Sequence, residues 1–130
     1  MTSLPVLLRD PRILLIGGGP VALQKARVLQ DNKINFQIIS LNFIKAFDDI
    51  SAIKIQKVFQ SNDIKEFKII VDATGNIEVL DLLLGVKRTN DFLLNVVDVP
   101  IMCDFYFSSL LNYGKLKIAI SSDGTSPTAT

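Results

Sequence analysis

Ile13-Leu14-Leu15-Ile16-Gly17-Gly18-Gly19-Pro20-Val21-Ala22 is the stretch on which the reading of this 130-residue chain turns. Its four apolar residues show no polar alternation, the pattern of a parallel strand covered on both faces. Three glycines end the run, and Val21, Ala22, Lys25, Ala26 and Leu29 follow at helical spacing. A strand that turns tightly into a helix gathers backbone N–H groups and the positive end of the helix dipole, which together suit a pyrophosphate. In Gly17-x-Gly19-x-x-Ala22 the first glycine serves the turn, the second close backbone approach, and a small third residue the packing of helix on strand. Asn35 to Ser40 resumes a strand-like pattern and completes one βαβ unit. A purely structural strand-to-helix turn would use the same residues, so the motif alone leaves both readings open.

Outward from this unit, strand and helix signals keep alternating. Ala52 to Phe59 sets Ile53, Ile55 and Val58 between Lys54, Gln56 and Lys57, which predicts a half-exposed edge strand. Lys68 to Ala73 carries the branched run Ile69-Ile70-Val71 and predicts a strand buried on both faces, ending in the loop Asp72-Ala73-Thr74-Gly75-Asn76. Ile77 to Lys87 places Ile77, Leu80, Leu83 and Leu84 on one helical stripe, and Phe92 to Val97 predicts another buried strand that stops at Asp98-Val99-Pro100. The alternation predicts an α/β fold, a doubly wound parallel sheet with helices on both faces that binds ligands beyond the carboxyl ends of its strands. Three loops meet at that edge: Gly17 to Val21, Thr74 to Asn76, and Asn95 to Pro100. Past Pro100, Phe105 to Leu110 and Leu116 to Ser121 predict two further strands, joined by the turn residues Asn112 to Lys115. Ser126-Pro127 looks like a helix start with only three residues after it, so the chain is expected to continue further.

Composition removes several function classes. Fourteen basic residues against thirteen acidic ones leave a formal charge of +1 with no basic block, so neither nucleic acid nor an anionic membrane surface is an expected partner. The chain contains no histidine, which excludes a Ser–His–Asp triad and any His-based metal site and leaves base chemistry to Asp, Glu, Lys or Tyr. Its one cysteine, Cys103, reads as a small buried hydrophobe rather than a nucleophile. No stretch reaches membrane-spanning length and Leu4 to Leu8 lacks the marks of a secretory signal, so a cytoplasmic location is expected.

A family resemblance rests on residues in a fixed order. These are Leu4-Pro5, Gly17-Gly18-Gly19 with Val21-Ala22 and Lys25, Leu41-Asn42-Phe43-Ile44, Asp72-Ala73-Thr74, Asn95-Val96-Val97-Asp98-x-Pro100, Phe105, and Ser121-Ser122-x-Gly124-Thr125-Ser126-Pro127. In that order and spacing the chain resembles the N-terminal module of siroheme synthase, the precorrin-2 dehydrogenase and sirohydrochlorin ferrochelatase family. The resemblance implies a Rossmann-like NAD-binding domain over residues 1–110, with residues 111–130 opening a dimerisation and C-terminal helical region and a homodimer as the full-length state. It implies oxidation of precorrin-2 to sirohydrochlorin with NAD as hydride acceptor, and insertion of Fe2+, a substrate rather than a resident metal, into that tetrapyrrole.

The same resemblance assigns residues. Asp98 is the expected catalytic base; its position alone fits equally a turn-forming aspartate ahead of Val99-Pro100. Gly17, Gly18, Gly19, Pro20 and Val21 are expected against the pyrophosphate, Leu41 and Asn42 near the adenosine, Thr74 and Gly75 along the nicotinamide side, and Asn95 beside the cofactor. Ser40, Leu41 and Asn42 stand where a dinucleotide fold usually carries an acidic residue for the ribose, and with no arginine there to clamp a 2′-phosphate, NAD is expected over NADP. Asp48 and Asp49 read as solvated acids, and Asp104 as an exposed loop acid. Asp123 stands where the family has glycine. The reading from another class is a non-catalytic NAD-sensing regulatory module, which would explain the glycines and leave the Asn95–Pro100 and Ser121–Pro127 motifs unexplained.

Overall fold

In the computed structural model, which describes residues 2–122, successive residues of β1 (Ile13–Ile16) serve opposite faces of one sheet. Ile13 and Leu15 pack with Ala22, Leu23, Ala26 and Leu29 of α1 (Pro20–Asp31); Leu14 and Ile16 pack with Leu83 of α2 (Ile77–Lys87). Both layers need apolar partners, which is why the run carries no polar position. Each fully buried leucine here contributes on the order of 1.5–3 kcal/mol relative to exposure.

β2 (Phe36–Ser40) and β4 (Ile69–Asp72) flank β1, and β3 (Ile53–Gln56) and β5 (Leu93–Val96) form the edges, giving the all-parallel order β3-β2-β1-β4-β5. In register, Ile16 lies level with Ile39 and Asp72, and Asp72 with Val96. The winding runs outward from β1 to β3 and then restarts at β4, so the direction changes between β1 and β4. A crevice opens at that point beyond the carboxyl ends. The expected doubly wound sheet is present, but each face carries one α-helix and one short 3-10 turn. Lys45–Asp49 supplies Phe47 to the α1 side, and Ser61–Ile64 supplies Ile64 to the α2 side. Lys54 Nζ ties off the first turn by donating to the carbonyls of Phe47 and Ile50 at 2.8 and 2.7 Å. Asp48 and Asp49 on it are exposed, as expected.

Three local readings are corrected. Ile77 does not join the buried stripe of α2: at the helix start it is 69% exposed, while Leu80, Leu83 and Leu84 pack inward. Phe92 to Val97 is not covered on all sides, because β5 is the sheet edge and Leu93 is half exposed. The segment expected as a strand from Phe105 pairs later: β6 is Ser109–Tyr113, and with β7 (Leu116–Ile120) it forms an antiparallel hairpin around Gly114-Lys115, where Gly114 takes φ 64°. β6 therefore spans the boundary expected at 110/111.

Residues 103–107 take a different role. The chain leaves β5, turns at Val96–Val99, and doubles back so that the Asp104 N–H donates to the Leu94 carbonyl at 2.7 Å while the Asp104 carboxylate accepts from the Leu94 N–H at 2.9 Å. This closes the outer edge of β5. Lys87 joins at 2.6 Å, so Asp104, exposed as expected of a loop acid, also anchors the chain. Phe107 then packs on the α1-side cluster, with Lys25 Nζ 5.0 Å from its ring centre.

Candidate functional site

All three expected loops lie at the carboxyl edge of the sheet. The first is made of backbone. Gly17 takes φ 133°, and a Cβ there would meet the Ala73 carbonyl oxygen at 2.9 Å and Ala22 Cβ at 3.1 Å, so the small Ala22 is part of the same requirement. The crowded position is Gly18: a Cβ would stand 1.9 Å from the Asn42 carbonyl oxygen and 2.7 Å from Ser40 Oγ. Its carbonyl accepts from Ile44 N–H at 2.9 Å, and Gly17 N–H donates to Ile39 O at 2.9 Å, so the loop is stitched to the end of β2. A Cβ on Gly19 meets nothing among the described residues within 4 Å, so within the protein it is Gly18 that is crowded, while the side of Gly19 is open.

Gly19 caps α1 with no side-chain hydrogen bond, Pro20 follows at the first helical position, and the first turn holds no acidic residue. Helix geometry leaves the N–H groups of Val21 and Ala22 without intrahelical partners, and the dipole adds positive potential there. A cradle that a Cβ would fill, open space before the helix, and free donors at its start together fit a pyrophosphate. Leu41 and Asn42 are exposed directly beside this loop, Asn42 holding its backbone carbonyl to Ser40 Oγ at 2.7 Å.

The second loop is built from side chains. Asp72, at the end of β4, is 2% exposed, and its Oδ1 accepts from Thr74 N–H at 3.0 Å and from Thr74 Oγ1 at 2.6 Å. Thr74 Oγ1 in turn accepts from Asn76 N–H at 3.1 Å, and Asn76 Oδ1 caps α2 by accepting from Glu78 and Val79 N–H at 2.8 and 3.3 Å. Thr74 thus spends its hydroxyl on the turn, and the exposed residues of the loop are Gly75, at φ 61°, and the capping Asn76. Burial raises the Asp72 pKa above the usual carboxylate value, with the two Thr74 bonds pulling the other way.

At the third loop Val99 N–H donates to Val96 O at 3.1 Å, closing a turn with Asp98 at its third position and φ 67°. A positive φ at that position is the type II geometry that favours glycine, so an aspartate there holds about 1 kcal/mol of backbone strain. Its side chain is exposed at the edge. Val97 N–H donates to the Asp72 carbonyl at 3.0 Å, joining the ends of β4 and β5. Asn95 is not on this rim: it is 6% exposed, its Nδ2 donates to Phe105 O at 3.0 Å, and its Oδ1 has no partner among the described residues. Cys103 folds its thiol over the same strand end, 3.2 Å from both the N–H and the carbonyl of Val96. Burial pushes that thiol pKa up, the Val96 bond and Lys25 opposing and Asp104 adding to it.

Sequence reasoning missed Asp72 as a site residue. The signal was present, since Asp72 is the polar break that ends the apolar run Ile69-Ile70-Val71. Two concavities of about 590 and 560 Å3 open at the opposite, amino-terminal edge, one around Arg12, Lys33 and Phe36 and the other around Arg9, Lys68 and Phe92; neither contains an expected site residue. Among the described residues no helix is long and apolar enough to cross a membrane, and no three His, Cys, Asp or Glu residues are grouped to hold a metal ion. The motif residues Asp123, Gly124, Thr125, Ser126 and Pro127 lie outside the described residues.

Comparison with known proteins agrees with this geometry. Siroheme synthases of Methylococcus capsulatus and Ruthia magnifica are each 32% identical over 98% of the chain. The chain spans 28% of the length of either protein. A solved structure of SirC, precorrin-2 dehydrogenase, superposes on 99% of the chain with a TM-score of 0.76 at 22% identity, and the chain covers 65% of it, a likeness that establishes the Rossmann-like fold. Residues 4–109 match the family model described as NAD(P)-binding. Glycine loop, strand order and this match agree, and the chain belongs to that NAD(P)-binding family, as a counterpart of the siroheme synthase N-terminal module.

Proposed function

We propose that this chain is the NAD-dependent dehydrogenase module that converts precorrin-2 to sirohydrochlorin in siroheme biosynthesis. The observation that carries the reading is the juxtaposition, at one sheet edge, of the Gly17–Val21 cradle with the exposed carboxylate of Asp98 on a strained turn. Exposed Asp10 and Lys33 also take positive φ, so it is the place of Asp98 beside the glycine loop, and not the strain alone, that singles it out. NAD+, when bound, supplies a hydride acceptor. The chain's own part is to hold the pyrophosphate on Gly18, Gly19 and the N–H groups of Val21 and Ala22. Asn42 faces the ribose, and Gly75 lines the nicotinamide side. Asp98 takes the proton that must leave when a hydride is withdrawn from the tetrapyrrole; passage of that hydride to bound NAD+ balances the oxidation. Without an arginine near Asn42, NAD is the preferred cofactor over NADP.

Insertion of Fe2+ into the product would draw on the same base, since two pyrrole nitrogens must lose protons. A homodimer fits the hairpin, whose Leu111, Leu116, Ile118 and Ile120 are each at least 40% exposed, because a two-stranded hairpin is marginal in water by itself. The reading places the enzyme in the cytoplasm, acting on the soluble tetrapyrrole. The test is an anaerobic absorbance assay of precorrin-2 with NAD+ on the complete reading frame: appearance of sirohydrochlorin and NADH together supports it. Bound NAD+ without product would return the module to the sensing class.

A further inference from the structure

Asp72 is the one buried carboxylate among the described residues, and no cation neutralises it. It sits at the end of β4 where the winding of the sheet changes direction, level with Ile16 just before the glycine loop and with Val96 just before the Asp98 turn. Its Oδ1 carries both Thr74 bonds, while Oδ2 has no hydrogen-bond partner among the described residues. The titratable groups on the elements around it are Glu78, Asp81 and Lys87 on α2, Asp98 on the neighbouring turn and Cys103 over Val96; burial raises the Asp72 pKa and the two Thr74 bonds oppose it. A charge kept there without a counter-ion weakens the fold, so its presence calls for a compensating role.

We propose that Asp72 is a specificity-determining residue for the redox state of the cofactor, its carboxylate favouring the positively charged oxidised nicotinamide over the neutral reduced ring. The inference rests on the reading that NAD binds with its nicotinamide half over the ends of β4 and β5. The two redox forms share one pyrophosphate, so its repulsion by Asp72 cancels when their affinities are compared. What remains is attraction to the ring charge, which in a partly desolvated crevice persists over about 10 Å. Direct contact is not required. Loss of the ring charge on reduction weakens this hold and favours release of the reduced cofactor.

The measurement is the dissociation constant of NAD+ and of NADH, by calorimetry and by NADH fluorescence, for the wild-type chain and Asp72→Asn between pH 5 and 8. Asparagine keeps an oxygen acceptor for Thr74, and unchanged circular dichroism establishes that the loop survives. The ratio of NADH to NAD+ dissociation constants is expected to be on the order of tenfold larger in the wild type than in Asp72→Asn at pH 8. It should fall toward the variant's value as the pH is lowered, because burial raises the pKa of this carboxylate. A ratio equal in the two proteins at every pH, with both cofactors bound, overturns the role of Asp72. Failure of the folded wild type to bind either form overturns the cofactor reading itself and the proposal with it.

Discussion

The loop after β1 and the loops after β4 and β5 occupy one edge of the sheet, yet they are made from different material. The first is backbone: glycines whose missing side chains leave room for Asn42 and Ala73 carbonyls and for a ligand. The others are side-chain networks, Asp72 to Thr74 to Asn76 and Asn95 to Phe105, on either side of the strained Asp98. A phosphate group, similar in every dinucleotide, is met by N–H groups that any sequence can offer if its residues are small enough. The reacting half needs charge and orientation, and those come from side chains anchored on backbone groups and, between Asp72 and Thr74, on each other.

The largest break in this comparison should come at Gly18. With a Cβ placed 1.9 Å from a backbone carbonyl, Gly18→Ala must displace the Leu41–Asn42 segment, at a cost of about 3 kcal/mol, and abolish NAD+ binding in a calorimetric titration. Gly19→Ala, whose Cβ meets nothing among the described residues within 4 Å, should cost only about 1 kcal/mol, as alanine is the poorer N-cap, and weaken cofactor binding, so equal losses of stability in both variants would refute the distinction.

Asp98→Asn tests the other half. Asparagine tolerates the left-handed conformation, so the fold and NAD+ affinity should persist while precorrin-2 turnover falls by about 10²–10⁴-fold. Near-normal turnover would leave Asp98 as a turn residue. The companion Asp98→Gly should be more stable than wild type by roughly 1 kcal/mol in chemical denaturation, because it releases the backbone strain, and equally inactive.

A smaller effect is expected beneath the rim. Asn95→Ala removes the donor that ties Phe105 to β5 and leaves that carbonyl unsatisfied, costing about 1–3 kcal/mol in urea unfolding. Hydrogen exchange should then speed at residues 103–107 before it does in the sheet.

The smallest effect is the pH dependence set by Asp72. Its folded pKa is raised, so the folded state binds its proton more tightly than the unfolded chain does. The stability it contributes is complete below the ordinary value of 3.8 and is lost as pH rises through the raised value. Asp72→Asn should therefore match wild type in melting temperature at pH 3.5 and exceed it at neutral pH. A variant that melts lower at neutral pH would give the carboxylate a stabilising role instead.

How much of this was legible follows from the same division of material. β1, α1, β4 and α2 were read within a residue or two because their apolar periodicities reflect burial on one or two faces, a local record of a global arrangement. Asp98 was placed at the edge through its motif, but its positive φ was not visible, since Val96-Val97-Asp98-Val99 also suits other turns. The segment from Phe105 failed as a strand for a tertiary reason: Asp104 fences β5 through Leu94, Phe107 fills the α1-side face, and pairing begins only at Ser109.

By itself the sequence determined that a strand, a glycine turn and a helix follow one another, and that parallel strands follow in alternation, because those features depend on residue size and on spacing along the chain. Only the tertiary structure decided that Gly18 is the glycine pressed against β2 and that, among the described residues, Asp72 is buried without a cation and Asn95 lies under the rim with an unpaired oxygen. Each of those depends on which distant segment arrives next to it, and burial and hydrogen-bond partners across strands are set by packing rather than by neighbours in sequence.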